Sequence, residues 1–194
     1  MKYNPDIHHR RSIRLRGYDY VQNGLYFVTI CTQGRLCLFG DIENGEMNLN
    51  DAGKMVRTIW DQIPAHYCGV EIDQFVVMPN HIHGIVAIVG AGPRACPDPS
   101  PDPSPDPSTC PAEGQPQGVA PTGFSLPDVV HRFKTMTTKQ YTDGVKQNGW
   151  QTFPAKLWQR NYYEHIIRNE EACLKIAEYI QTNPQRWEED TYHV

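Results

Sequence analysis

The 194-residue sequence predicts one α+β domain of ferredoxin-like, split-βαβ topology, with an antiparallel sheet and an extra helix at the C-terminal end. Segments of strand and helix type follow one another in the order strand, helix, strand, strand, helix, strand, helix. A Pro-Asn turn joins two consecutive strand runs into a hairpin. A hydrophobic content of 39% supports one core of about 150 residues once a proline-rich stretch is set aside.

Residues 1–22 read as a basic arm, because His8-His9-Arg10-Arg11-Ser12-Ile13-Arg14-Leu15-Arg16 concentrates cations. The first strand is Tyr26-Phe27-Val28-Thr29-Ile30-Cys31-Thr32, rich in β-branched and aromatic residues and bounded by Asn23-Gly24 and Gly34. Residues 36–49 predict a short hairpin excursion turning at Glu43-Asn44-Gly45. From an N-cap at Asn50, apolar residues at Ala52, Met55, Val56, Ile59 and Ile63 keep helical spacing, and Pro64 is expected to end the helix.

The central hairpin follows, Val70 to Met78 and then His81 to Val89. Side chains alternate along a strand, so His81 and His83 leave one face and can reach a single ion or phosphate while Ile82 points into packing. With eight histidines in the chain, about 0.3 His-x-His pairs arise by chance, so the pair needs a third group to define a site.

Residues 90–123 hold three consecutive Pro-Asp-Pro-Ser units, a density that excludes helix and ladder and favours an extended, disordered insert within the domain. The domain is thus split into 23–89 and 124–184, with 185–194 as a tail. Ser125-Leu126-Pro127-Asp128 opens the second helix, which carries Val129, Val130, Phe133, Thr137 and Tyr141 inward until Gly144 and Arg132, Lys134 and Lys139 outward. Leu157 to Ile167 is the last strand. Asn169 caps the final helix, which runs to about Thr182 and stops at Pro184.

Charge and cysteine usage narrow the function classes. A net charge of −4 argues against a strongly cationic, non-specific nucleic-acid binder, although removing the acidic insert leaves about −1. The six cysteines form no C-x-x-C pair and read as reduced thiols rather than a zinc ribbon or disulfide framework. No apolar run spans a bilayer and no signal-peptide core is visible, so the expected location is cytoplasmic, with no membrane partner.

The third group is expected on the final helix. Tyr179 and Asn183 stand four apart and share one face. Turned toward the His pair, Asn183 supplies a third neutral ligand and Tyr179 a phenol aimed at whatever the ion holds. A phenol with a pKa of about 10 is a poor nucleophile, but a divalent ion that polarises a phosphodiester eases its attack. The resulting phosphotyrosine keeps the energy of the broken bond, which couples cleavage to rejoining.

Met78-Pro79-Asn80-His81-Ile82-His83-Gly84 and Tyr179-Ile180-Gln181-Thr182-Asn183-Pro184 resemble the paired-histidine (HUH) motif and the tyrosine helix of the single-tyrosine HUH transposases, and within them the REP-associated tyrosine transposases. The first strand and Trp158 to Arg168 are similar in kind. This resemblance implies a single-strand DNA endonuclease and strand transferase that cleaves at hairpin or REP-like palindromic DNA through a 5′-phosphotyrosine intermediate. It further implies Mg²⁺ or Mn²⁺ held by His81, His83 and Asn183, with Tyr179 as nucleophile.

The expected partner is single-stranded or hairpin DNA, with Arg10, Arg11, Arg14, Arg16, Arg132, Lys134 and Lys139 as candidate phosphate contacts and nucleoid association when bound. A monomer is expected over a homodimer, as the REP-associated branch suggests. Tyr162 and Tyr163 are rival nucleophiles by residue type, and with Trp158 they are also candidates to stack unpaired bases or fill the core. Two other readings remain: a domesticated, sequence-specific DNA-binding protein that no longer cuts, and a metal-dependent hydrolase on the same fold.

Overall fold

The computed structural model describes residues 23–89 and 125–193. Its main sheet has four antiparallel strands, β1 (Gly24–Cys31), β4 (Val70–Val77), β5 (His81–Ile88) and β6 (Tyr163–Ile167), in the spatial order β4-β5-β1-β6. Strands β2 (Gly40–Glu43) and β3 (Glu46–Leu49) form a separate hairpin. The helices are α1 (Asp51–Asp61), the single turn α2 (Ile63–His66), α3 (Leu126–Asn148) and α4 (Glu170–Thr182). With β2-β3 set aside, this is the split-βαβ order, and α4 is the extra helix.

Alternation divides each strand between two layers. On one face Tyr26, Val28 and Ile30 of β1 and Ile82 and Val86 of β5 pack against α1, through Val56, Ile59 and Trp60, and α3, through Val129, Val130 and Phe133. On the other, Phe27, Ile85 and Ile167 meet Ile180 of α4 in a much smaller cluster. Each fully buried side chain of these types contributes roughly 1.5–3 kcal/mol, so the first face carries most of the stability and the second leaves room for polar groups.

Gly84 shows how closely the first face is packed. A Cβ there would lie 2.4 Å from Cζ2 of Trp60, which stacks on Phe75 with ring centroids 4.4 Å apart. Phe75 is aimed at this stack by an irregularity in the β4-β5 register between Ile72 and Phe75. The glycine that follows the His pair is therefore required by the packing behind it.

Both expected asparagine N-caps form: Asn50 Oδ1 accepts from the Gly53 N–H (2.9 Å) and Asn169 Oδ1 from the Ala172 N–H (2.8 Å). Elsewhere the boundaries differ from expectation. Helix α3 continues past Gly144 to Asn148 and ends at Gly149 in the left-handed region; Gly144 is small because Trp150 packs against it. Pro64 lies within the one-turn α2, since proline is tolerated in a first turn. Leu36 to Phe39 is not a strand, and Leu38 and Phe39 are buried core residues of a loop.

The last strand starts only at Tyr163; Leu157 and Trp158 fill the core beside an isolated bridge from Trp158 to Thr32. Pro184 does not stop the winding, and a 3₁₀ segment covers Asn183–Glu189. Cys31, Cys37 and Cys173 are free, whereas Cys68 is disulfide-bonded, against the expectation of thiols throughout. The basic arm and the proline-rich insert lie outside the described residues.

Candidate metal and tyrosine site

The site is built on the start of β5. The Met78 N–H donates to His81 O (2.9 Å), closing the turn, and Pro79 O accepts from the Leu38 and Phe39 N–H groups (2.9 and 3.1 Å). Thr32 holds Asn80 O through its N–H (2.8 Å) and its hydroxyl (3.0 Å). His81 and His83 are thereby fixed opposite Cys31 and Thr29 of β1, and both are buried.

Hydrogen bonds define which ring nitrogens face the site. The Asn80 amide nitrogen donates to Tyr192 O (2.8 Å) and Arg35 O (3.3 Å), which leaves Asn80 Oδ1 as the acceptor for His81 Nδ1 at 2.8 Å. His81 therefore carries its proton on Nδ1 and presents a bare lone pair at Nε2. His83 Nδ1 is 2.8 Å from Thr29 Oγ1, whose hydroxyl also bonds the Tyr192 side chain. With Nδ1 donating to Thr29, His83 also presents Nε2, and the two Nε2 atoms are 3.0 Å apart.

The C-terminal elements close over this pair. Tyr179 of α4 brings its hydroxyl to 3.4 Å from His83 Nε2, and the ring stands edge-on to Phe27 with centroids 6.1 Å apart. Asn183, one turn on and buried, donates from its amide nitrogen to Asp190 Oδ2 (2.9 Å). Its Oδ1 is buried without a partner. The other Asp190 oxygen accepts from the Tyr192 N–H (2.7 Å), and Oδ2 is 3.9 Å from His81 Nε2. Sequence reasoning missed Asp190, Tyr192, Thr29 and the orienting role of Asn80; of these, only Asn80 had a local signal, its place beside the His pair.

Burial sets the protonation states. It pushes the His81 imidazole down to about 3, with the Arg35 guanidinium adding to the effect. His83 is likewise held well below the ordinary range by burial and by His81, against an opposing pull from Asp190. Tyr179 moves the other way, up to about 12, chiefly by burial and then by Asp190 and Tyr192, while its hydrogen bond with Asn183 favours the phenolate.

These groups fit a divalent cation. With both Nδ1 atoms protonated, the two Nε2 lone pairs, 3.0 Å apart, converge on one position that a divalent cation would occupy; with the other His83 tautomer the same contact is an N–H···N hydrogen bond. His81, His83 and Asp190 offer donor atoms all within 4.8 Å of one another, and the orphaned Asn183 Oδ1 lies on the neighbouring residue of the same network. Such a mixed nitrogen-oxygen set suits Mn²⁺ better than Mg²⁺, which prefers oxygen alone.

The remaining candidates lie apart. Arg10, Arg11, Arg14 and Arg16 fall outside the described residues. Arg132, Lys134 and Lys139 are on α3, in the layer behind the sheet. Arg132 rests over the Tyr67 ring at 6.0 Å. Lys139 lines a surface groove of about 790 Å³ with Lys146, Lys156 and Arg160. Lys134 directs its ammonium at the carbonyls of Gln159 (2.9 Å), Arg160 and Asn161 (3.3 Å each), so it organises that loop. Burial lowers its pKa to about 8. Trp158 is core and Tyr162 lies under Lys134, whereas Tyr163 is 52% exposed.

A four-stranded antiparallel sheet with paired histidines on one strand and a tyrosine helix above them defines the class of site. The chain belongs to one family with an uncharacterized protein of Haemophilus influenzae, 44% identical over 193 residues that cover all of this chain and 98% of that protein. No protein-family model matches. Among solved structures, a REP-associated tyrosine transposase bound to a REP hairpin is similar at a TM-score of 0.49 and 20% identity, over 89% of this chain and 73% of that one. A protein described as a transposase, from Deinococcus radiodurans, gives 0.44 and 18%, over 88% and 96%. At these values the structural likenesses carry no argument about function, which rests on the site itself. Among the described residues, no helix is long and apolar enough to cross a membrane.

Proposed function

We propose that this chain is a metal-assisted, single-strand DNA endonuclease and strand transferase of the HUH type, with Tyr179 as nucleophile and hairpin or palindromic DNA as substrate. The observation that carries the proposal is the approach of the Tyr179 hydroxyl to 3.4 Å from His83 Nε2, at the edge of the His81, His83 and Asp190 cluster.

His81, His83 and Asp190 would hold the ion, with Asn183 Oδ1 as a further donor. When bound, Mn²⁺ or Mg²⁺ supplies positive charge that polarises a phosphodiester oxygen and favours the phenolate. Asn80 and Thr29 keep both imidazoles oriented with Nε2 toward that position. Tyr179 Oη forms a bond to phosphorus as the bond to the 3′ oxygen breaks; the phenol gives up its proton and the leaving oxygen gains one. The products are a 5′-phosphotyrosine and a free 3′-OH, and because the ester energy is retained, a 3′-OH can reverse the step. A phenol is protonated at neutral pH, and burial raises the Tyr179 pKa further, to about 12, so the positive charge of a bound cation would favour its deprotonation and activity should depend on metal.

The test is incubation of wild-type protein and Tyr179→Phe with labelled single-stranded hairpins from repeats flanking the gene, with Mn²⁺ or EDTA, followed by denaturing electrophoresis. The expected result is a protein-DNA band that needs both the metal and Tyr179. Hairpin binding with no such band would favour a DNA-binding protein that does not cut. Free product with multiple turnover and no trapped tyrosine would favour a hydrolase.

A further inference from the structure

We infer that the groove between α3 and the loop at residues 155–160 is a docking surface for the sugar-phosphate backbone of paired DNA, the duplex segment contiguous with the strand that reaches the His pair. This rests on the DNA reading above and adds a part of the substrate that the metal and tyrosine site does not touch.

Positive charge gathers here although the chain as a whole is acidic. The net charge is −4, yet Lys134, Lys139, Lys146, Lys156 and Arg160 line this one groove, and Asp143 is the one acid among its described lining residues. Lys139, Lys146, Lys156 and Arg160 are exposed. Among the described residues none of these four has an ion-pair partner, whereas Lys54 is paired with Asp51 and Lys175 with Glu171. Unpaired cations facing one another across a groove focus a positive field that attracts a polyanion.

Length and lining decide which polyanion fits. From His131 to Lys146 the α3 wall rises roughly 22 Å at 1.5 Å per residue, which matches about six base pairs at 3.4 Å each and far exceeds a free phosphate or nucleotide. An unpaired strand is gripped by stacking as well as by charge, and the groove offers no aromatic platform. Among its described lining residues the one Phe, Tyr or Trp side chain, Trp158, is 4% exposed and belongs to the core. Thr135 and Thr142 turn their hydroxyls back onto the carbonyls of His131 (2.9 Å) and Thr138 (2.8 Å). Ammonium groups are therefore the main free donors along α3, which suits phosphates and reads no sequence.

The opposite wall is held in place and leads to the site. Lys134 fixes it by donating to three consecutive carbonyls, those of Gln159, Arg160 and Asn161. Gln159 lines the groove, donates from its N–H to Cys31 O (2.9 Å) and from its side chain to Thr32 O (3.2 Å). Cys31 is the register partner of His81, so the groove opens one strand away from the His pair. DNA that leaves the site over this rim of the sheet meets the groove at Arg160.

The experiment measures binding of the full chain in EDTA, which prevents cleavage, by fluorescence anisotropy across a salt series. One labelled oligonucleotide is a hairpin with unpaired flanks from repeats beside the gene; the other has the same length, with one arm of the stem scrambled so that it cannot pair. Wild type should prefer the hairpin. The double variants Lys139→Gln with Lys146→Gln, and Lys156→Gln with Arg160→Gln, should each lower the salt slope on the hairpin by about 1.8, from two phosphate contacts at about 0.9 each, and lower it less on the scrambled strand. The loss should be the same for stems of different sequence. Lys139→Arg with Lys146→Arg keeps the charge and should keep the wild-type slope. All four positions are exposed, so the variants should keep the wild-type melting temperature. Unchanged hairpin affinity and salt slope in the Gln variants, or equal losses on both oligonucleotides, with a Tyr179-dependent adduct still forming in Mn²⁺, would overturn the docking surface and leave the endonuclease standing. A wild-type chain that neither binds nor cleaves these hairpins would overturn both.

Discussion

The two faces of the central sheet are made from alternate residues of the same strands, yet they are used in opposite ways. Behind β5, Ile82, Gly84 and Val86 meet two helices in a close apolar core. In front, His81, His83 and Ile85 meet one helix and a C-terminal segment, and the buried groups there are largely polar. Packing on one face frees the other to hold buried polar groups, whose desolvation costs stability. Two buried imidazoles and a hydrogen-bonded Asp190 carboxylate sit there while Trp60 and its neighbours supply the apolar burial on the other face.

The largest expected effect falls on the front face. Tyr179→Phe should reduce covalent adduct to background while changing stability by no more than about 0.5 kcal/mol, as for other partly exposed positions, which a melting curve run beside the adduct assay would show. His83→Ala should abolish the rise in melting temperature that Mn²⁺ gives the wild type, a rise equivalent to about 2.7 kcal/mol at a hundredfold excess over Kd. A metal-dependent shift that survives in this variant would place the ion elsewhere.

The back face should respond in the opposite sense. Gly84→Ala drives a methyl into Trp60 and should cost about 1–3 kcal/mol in denaturant unfolding, with protein that remains folded still binding Mn²⁺. If it lost metal and kept its stability, the division of labour between the faces would be wrong.

Much of this division was legible in the sequence because alternation is a local signal: the His pair on one face and Ile82 on the other follow from spacing alone. The caps at Asn50 and Asn169 and the element order were equally local. Asp190 and Tyr192 were not, since they reach the site only when the chain winds past Pro184 and folds back, and no periodicity marks such a return. Leu157 and Trp158 have strand-like composition but are drawn into the core, where burial outweighs strand propensity. Gly144 resembles a helix stop and is instead the surface on which Trp150 rests.

A pH series gives a more gradual test. The folded-state pKa of His81 is lowered from 6.5 to about 3, so below pH 6.5 the unfolded chain takes up a proton that the folded site refuses. Stability should be intact above about 6.5 and fall progressively toward 3; unfolding midpoints measured from pH 7 to 4 should show this slope, and it should shrink in His81→Ala. The smallest effect concerns the support of α4. Asn169→Ala removes the bond to the Ala172 N–H and should cost about 1 kcal/mol by the same unfolding assay.

The central claim is that Tyr179 is the group placed to react. After incubation with hairpin DNA and Mn²⁺, nuclease trimming, proteolysis and mass spectrometry would locate the nucleotide on a peptide. The account predicts a phosphotyrosyl nucleotide on Tyr179; a modification found on Tyr162 or Tyr163 would contradict it.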